Sequence, residues 1–505
     1  MNPKTNKFFT RSIMLNIVLT VLITLSSVLI HAQQPVKYTL NDVIELAQKQ
    51  SPDALIAKHR FISSYWTYRN FKADYLPNLT LDARMPNINR TIAAVPAQDG
   101  SINYIPQSQS SYFVGMSLEQ EVGFTGGSIS LNTGLSRMDN FYTDTTTSQY
   151  LANMVNITIN QPIFNYNPYK WDKKIKPLEY DAAKRKVVEE NEKVASTAVN
   201  YFFSLLISQL ERGIAVKNQA NYDTLYKIAQ GRYELGKIAE NDLLQLELSL
   251  LKAVSAVESS ELNYENSFFL FSSYLRLKDD AEIELIPPTI TYTTEILLDK
   301  ALVEAKNNSS EILEFKTRLL EAESRVNWAK TKGGFNADLY AVLGLSQTSN
   351  VISSAYNNPL DEEMVVLGMT IPILDWGKTK GEIKLAESNQ NLEVTSVEQA
   401  IIDFNQNVFI NVMEYNMQKS QLLIAAKSDT VAQKRFDITQ KRYMIGKIND
   451  VLELRMAQQD NDYAKVGYYR ALMTYWKSYY DIRQLTLYDF QRNMPITVNV
   501  DDLID

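Results

Sequence analysis

The sequence predicts a mainly α-helical, internally duplicated chain with a smaller part built of β-strands. Three observations carry that reading. Two long stretches, 169–235 and 377–445, are almost free of proline: Pro177, near the start of the first, is the only one in either. Between the helical stretches lie segments in which apolar and polar residues alternate strictly. And "RYELGKIAENDLL" at 232–244 returns as "RYMIGKINDVLEL" at 442–454, an offset of 210.

The duplication extends well beyond that motif. "AQKQSPDALIAKHR" (47–60) aligns with "AKNNSSEILEFKTR" (305–318) at an offset of 258, sharing Ala, Ser, Leu, Lys and Arg. "INQPIF" (159–164) aligns with "MTIPIL" (369–374) through Pro162 and Pro372 at an offset of 210. The two offsets differ by 48, which places an insertion of that length in the first copy between Pro77 and Pro162. Pro287-Pro288 marks the junction. The expected organisation is a first repeat over 38–286, carrying an inserted hairpin at about 90–150, a second over 289–490, and a tail at 491–505.

Each copy reads as helix, extended segment, very long helix, tip motif, helix. In the first, apolar residues return every three or four positions over about 41–72, with Thr39 or Asn41 placed to cap. The long stretches correspond to rods of about 100 Å at the rise of an α-helix. Such rods have to bury their apolar stripes laterally, as coiled coils do. The helices before and after each tip (about 41–72 with 238–278, and about 295–330 with 448–488) together nearly match the long helix between them in length. Two short helices laid end to end beside one long helix make a hairpin of even thickness. Gly236 and Gly446 then fall at the reversals, where a helix end takes up a left-handed residue.

The extended segments alternate with a period of two: Leu79, Leu81, Ala83 and Met85 in "NLTLDARM", Val155, Ile157 and Ile159 in "MVNITIN". The second copy offers Ala337, Leu339, Ala341, Leu343 and Leu345, then Val365, Leu367, Met369 and Ile371. Strands facing lipid on one side and water on the other alternate this way, and so does a soluble sheet packed on a helix. The insertion adds 112–118 and 129–135 around "GFTGG", a hairpin turn. Two strands per copy give four per chain, too few for a barrel of at least eight, so a barrel requires several chains.

Composition narrows the function classes. There is no cysteine, hence no disulfide, thiolate metal site or lipidated cysteine, and only two histidines, His31 and His59. The net charge of −7 argues against a nucleic-acid partner. Residues 1–32 read as a secretory signal peptide: Lys4, Lys7 and Arg11, an apolar run from Ile13 to Ile30, and Ala32 at the cleavage position. A retained anchor is the rival reading of that run. Cleavage takes the net charge to −10. No later stretch has the length and apolarity of a spanning helix, so any entry into a membrane is by strands.

The signal segment, "YTLNDVIELAQKQSPD", "QPIF", "IPILDWGK" and the paired R-Y-x-x-G motif, in this order and duplicated, resemble the TolC-type outer-membrane efflux protein family over about 38–490. "TGGSISLNTGLSRMDNF" and "NYNPYKWDKKI" resemble its Bacteroidetes-like branch. The resemblance implies a homotrimer in which four strands per chain form one 12-stranded barrel in the outer-membrane lipid, continued by a periplasmic α-helical barrel. It implies an exit duct of a tripartite efflux or type I secretion system, docking a periplasmic adaptor (membrane fusion) protein and an inner-membrane pump. The inserted hairpin departs from the family pattern, and six strands per chain would give eighteen.

It further implies that the tips meet the adaptor, through Arg232, Tyr233, Gly236 and Lys237 in the first copy and Arg442, Tyr443, Gly446 and Lys447 in the second. Glycine permits close backbone approach and arginine offers a forked donor. A solvated helix-end charge or an intrahelical pair is the plain alternative for either arginine. Asp242, six residues after Gly236, matches a family aspartate that lines the narrowed mouth. Asp450, four residues after Gly446, and Glu453 are weaker matches, since the spacing departs from the family's. A ring of such carboxylates draws cations, and either aspartate equally suits a helix N-cap.

Other features read as structural. The tyrosines of "YYRALMTYWKSYY" (468–480) sit at helical spacing and suit packing between helices, Trp171 and Trp376 follow strand-ending prolines and suit a membrane interface, and His59 is a surface histidine. "FTGGS" lacks the lysine of a phosphate-binding loop. The carboxylates are spread along helix faces, so no catalytic residue, metal or cofactor is expected. A soluble periplasmic coiled-coil adaptor or scaffold is the alternative to the duct.

Overall fold

The computed structural model describes residues 36–142, 144–277, 283–289, 295–447 and 451–504; the expected signal segment lies outside them. In the first repeat β1 (Val36–Thr39), α1 (Leu40–Gln50) and α2 (Pro52–Ala73) precede four strands, β2 (Asn78–Pro96), β3 (Ile102–Val122), β4 (Gly127–Phe141) and β5 (Thr146–Ile163). Then come α3 (Pro168–Glu234), α4 (Glu240–Tyr274) and β6 (Ile283–Ile286). The second repeat holds α5 (Leu298–Asn308), α6 (Ser310–Lys332), β7 (Asn336–Ser349), β8 (Leu360–Thr370), α7 (Lys378–Met444) and α8 (Val451–Thr486), followed by β9 (Tyr488–Asp489) and β10 (Met494–Pro495). The long helices α3 and α7 have 67 residues each.

The helix expected over 41–72 is two helices, and so is its counterpart over 295–330. Ser51 and Ser309, equivalent at the offset of 258, are extended, with ψ of 152° and 143°. Pro52 excludes the α conformation from the residue before it, and Ser51 Oγ accepts from the Ala54 amide at 3.2 Å. The second copy has no proline here. Instead the buried Glu189 carboxylate accepts from the Ser310 amide and hydroxyl, both at 2.8 Å, and fixes the start of α6. At the entrance to α1, Thr39 is the cap: its hydroxyl accepts from the Asp42 amide and Asp42 accepts from the Thr39 amide, a reciprocal box.

The chain divides into two compact units. The first gathers the described residues up to Leu55, Asn191–Glu295 and Met413–Asp481. Here β1 and β6 pair in parallel, with Lys37 and Glu284 in an ion pair at 3.0 Å. The tyrosine-rich stretch of α8 packs between helices as expected: Tyr475 and Tyr479 are buried, and the Tyr475 and Tyr415 hydroxyls lie 3.3 Å apart.

The second unit gathers Ile56–Glu190, Ile296–Val412 and the residues from Ile482 onward. Its tail is not loose: Ile496, Val498, Val500, Leu503 and Ile504 pack on the cluster of Phe61, Val187, Val188 and Leu487. Trp171 is buried in α3, which corrects its reading as an interface anchor: its ring is covered within the chain, with Lys174 Nζ 5.0 Å from its centroid. Trp376 is 90% exposed. His59 is exposed.

The sheet of the second unit corrects the strand count. Its order is β2-β3-β4-β5-β7-β8, antiparallel throughout. Four strands per chain were expected and six are present. The insertion is the hairpin β3–β4, which pairs with β2 on one side and β5 on the other along nearly its whole length, so it widens the sheet. The turn falls at "GFTG", with Gly126 at φ +78°. Across five of the six strands, Leu79, Leu118, Leu131, Ile157 and Leu343 lie directly opposite one another, forming an exposed apolar row that ends on β8 at Glu363, opposite Leu343. The adjacent row on the other face reads Thr80, Ser117, Asn132, Asn156 and Gly344. No described helix is long and apolar enough to cross a membrane.

Candidate functional site: the paired helix tips

Both tips belong to the first unit. Each long helix ends in the same hydrogen-bonded cap. The Gly236 amide donates to the Tyr233 carbonyl and the Lys237 amide to the Arg232 carbonyl, both at 2.8 Å. Gly446 donates to Tyr443 at 3.1 Å and Lys447 to Arg442 at 3.0 Å. This double closure satisfies the last carbonyls of a helix and needs a left-handed residue at its pivot. Gly236 and Gly446 supply it, with φ of +68° and +72°. The two copies of the motif therefore have one local cause.

Their side chains do different work. Arg232 reaches the other tip, where Nη2 donates to the carbonyls of Tyr443 at 3.3 Å and Met444 at 3.4 Å. Its guanidinium lies 5.3 Å from the centroid of the Tyr443 ring. Nη1 is buried and has no acceptor among the described residues. Tyr443 itself is 1% exposed, in a cluster with Leu225, Ala229, Leu246, Phe436, Val451, Leu454 and Ala457. Burial raises its hydroxyl pKa, and the Arg232 charge partly offsets that rise. Tyr233, its counterpart, is 41% exposed. Arg442 lies 4.0 Å from the Glu453 carboxylate, with both side chains substantially exposed.

The sequence-derived set is thus partly brought together. Arg232 and Tyr443 form one joint between the tips, and Arg442 and Glu453 form a surface pair. Tyr233, Gly236, Lys237, Gly446 and Lys447 are exposed. Asp242 is in the first turn of α4, where a helix favours negative charge. It is not the cap: Ala239 holds that position with no side-chain bond. Asp450 lies outside the described residues. Sequence reasoning missed the burial of Tyr443, although its spacing of seven from Phe436 is a core signal. Among the described residues no cluster of His, Asp and Glu is placed to hold a metal.

Residues 301–484 match the family model of the outer membrane efflux protein. No curated protein sequence matches the chain. Among solved structures, the CmeC outer membrane channel of Campylobacter jejuni superposes with a TM-score of 0.64 at 16% identity, covering 92% of this chain and 88% of its own. The outer membrane protein VceC of Vibrio cholerae gives 0.62 at 12%, covering 88% and 95%. The MtrE outer membrane channel of Neisseria gonorrhoeae gives 0.61 at 13%, covering 88% of each. At these identities the likeness is one of fold, and it spans both repeats. The soluble adaptor reading gains no support from these matches.

Proposed function

From its outer membrane efflux protein domain, we propose that this chain is an outer-membrane exit duct, a homotrimer that docks a periplasmic adaptor protein and through it an inner-membrane pump. Conduction is passive and the energy comes from the pump. The observation that carries the reading is the sheet: a row of exposed leucine and isoleucine on one face backed by a row of hydroxyls and amides on the other, which suits a wall between lipid and water. Antiparallel order with both edges free also fits a wall completed by further copies.

In this reading the paired tips are the docking end. The caps put Gly236, Lys237, Gly446 and Lys447 at the surface, where a partner's backbone can approach glycine closely. Arg442 is the arginine free to exchange partners, whereas Arg232 holds the two tips together. Asp242 and Glu453 are the candidate mouth carboxylates.

Detergent extraction tests the duct. The chain is expected in the outer-membrane pellet and as a trimer, and release as a periplasmic monomer refutes the reading. Docking is tested by replacing Gly236 and Gly446 with tryptophan. Nothing lies within 4 Å of a Cβ at Gly236 and only Arg232 Nη2, at 3.8 Å, at Gly446. The left-handed backbone therefore strains each cap by about 1–2 kcal/mol, with no clash at the added Cβ. Loss of export with the trimer intact is expected, and normal export would remove the tips from the docking role.

A further inference from the structure

The inserted hairpin has a consequence for the width of the pore. β2 is exposed at every position but Ala93, and β8 at every position but Glu362. Each is paired along one side only. In hydrocarbon, where no water can satisfy free backbone groups, such edges have to find strands. Six alternating strands make β8 antiparallel to β2, so β8 of one copy can continue onto β2 of the next without breaking the pattern. Val365, Leu367 and Met369 share the face of Leu79 and Leu81, so a continuous apolar face brings the two sets to the same side of the joined strands.

We propose that three copies close an eighteen-stranded barrel, about half as wide again as a twelve-stranded one, and that the duct passes hydrated polar solutes of correspondingly larger cross-section. The proposal rests on the trimeric duct reading above. Its wall residues are on the polar face, where Ser117 Oγ donates to Asn132 Oδ1 at 2.6 Å, Asn132 Nδ2 to Ser130 Oγ at 3.0 Å, and Thr158 Oγ1 to Asn156 Oδ1 at 3.0 Å. The first of these bonds ties β3 to β4, and the other two run within β4 and β5 and hold those side chains against the wall. Phe113 lies flat over the wall, filling the space that side chains at Gly115 and Gly134 would occupy. The same face also carries Asp82, Glu119, Asp338 and Glu362, so this wall favours cations as well as selecting by size.

The chain has no cysteine, so introduced ones report alone. Leu81→Cys combined in turn with Val365→Cys, Leu367→Cys or Met369→Cys is expected to give, in at least one pairing, an oxidised ladder ending at three chains. A ladder ending at two chains, or no ladder, overturns both the trimer and the eighteen-stranded barrel. Width is read at Thr158→Cys on intact cells, with maleimide-polyethylene glycols of increasing mass applied from outside, where the tips play no part. The full chain should accept reagents about half as large again in radius as a chain lacking residues 99–143, which keeps four strands. Equal cut-offs, with the three-chain ladder present, refute the wide barrel and leave the duct standing. Should the shortened chain fail to assemble, counting the strands of the full trimer by electron cryomicroscopy decides: eighteen upholds the proposal and twelve ends it.

Discussion

The two tips carry one motif and share one backbone cap, yet Arg232 bridges to the opposite tip while Arg442 pairs at the surface with Glu453. The tyrosines differ in the same sense, Tyr443 being 1% and Tyr233 41% exposed. The difference teaches that duplication preserves what is local and reassigns what is tertiary. A glycine cap is closed by residues within six positions of one another, so both copies retain it. A side chain's partner depends on which helix lies alongside, and two antiparallel hairpins in one bundle cannot offer identical neighbours to both copies.

The largest expected separation between the tips is at the tyrosines. Tyr443→Ala empties a closed apolar cluster and should destabilise the tip by about 3–5 kcal/mol. Tyr233→Ala should stay within about 0.5 kcal/mol. Amide exchange across 225–247 and 436–457 measures both, and equal losses of protection would erase the difference between the two tyrosines.

Much of this architecture was legible in the sequence. The long helices begin and end within a residue of 169–235 and 377–445, because their limits are set by local signals, a proline-poor periodic run closed by glycine. The insertion was legible from the change of offset alone, and the structure assigns it to β3 and β4. The strand count was not, because alternation identifies a strand without saying whether it joins the main sheet. The break at Ser51 has a local signal in Pro52, which the expectation of a single helix over 41–72 passed over, while Ser309 is broken by Glu189, some 120 positions away and invisible to a local reading. The site was legible in position but not in role. Nothing in "RY" distinguishes an arginine that bridges from one that pairs at the surface.

Exchanging the arginines for alanine sharpens the same contrast at smaller amplitude. Arg232→Ala removes charged hydrogen bonds to two carbonyls and leaves those carbonyls at the end of α7 with one donor fewer, a loss of about 2 kcal/mol. Arg442→Ala removes an exposed ion pair, worth under about 1 kcal/mol. The former should loosen the tips in amide exchange and the latter should not. In the duct reading the two should also part in opposite ways, Arg442→Ala weakening adaptor binding without disturbing the bundle. Identical exchange profiles would mean that Arg232 is no more structural than its counterpart.

The smallest expected effect is a pH dependence confined to one tip. Burial raises the Tyr443 hydroxyl above the ordinary 10.0, with Arg232 acting against that rise. The folded tip therefore holds this proton more tightly than the unfolded chain does. From about pH 10 upward the unfolded chain binds fewer protons than the folded one, so stability falls with rising pH until the folded pKa is passed, and it is fully present below pH 10. Tyr443→Phe keeps the ring in its cluster and removes the proton. Thermal unfolding at pH 9 and pH 11 should thus show a smaller alkaline loss for Tyr443→Phe than for the parent chain, the remaining tyrosines contributing equally to both. A parent and variant that lose stability in parallel would show that the hydroxyl is not held in the apolar cluster, and the asymmetry between the tips would then rest on Arg232 alone.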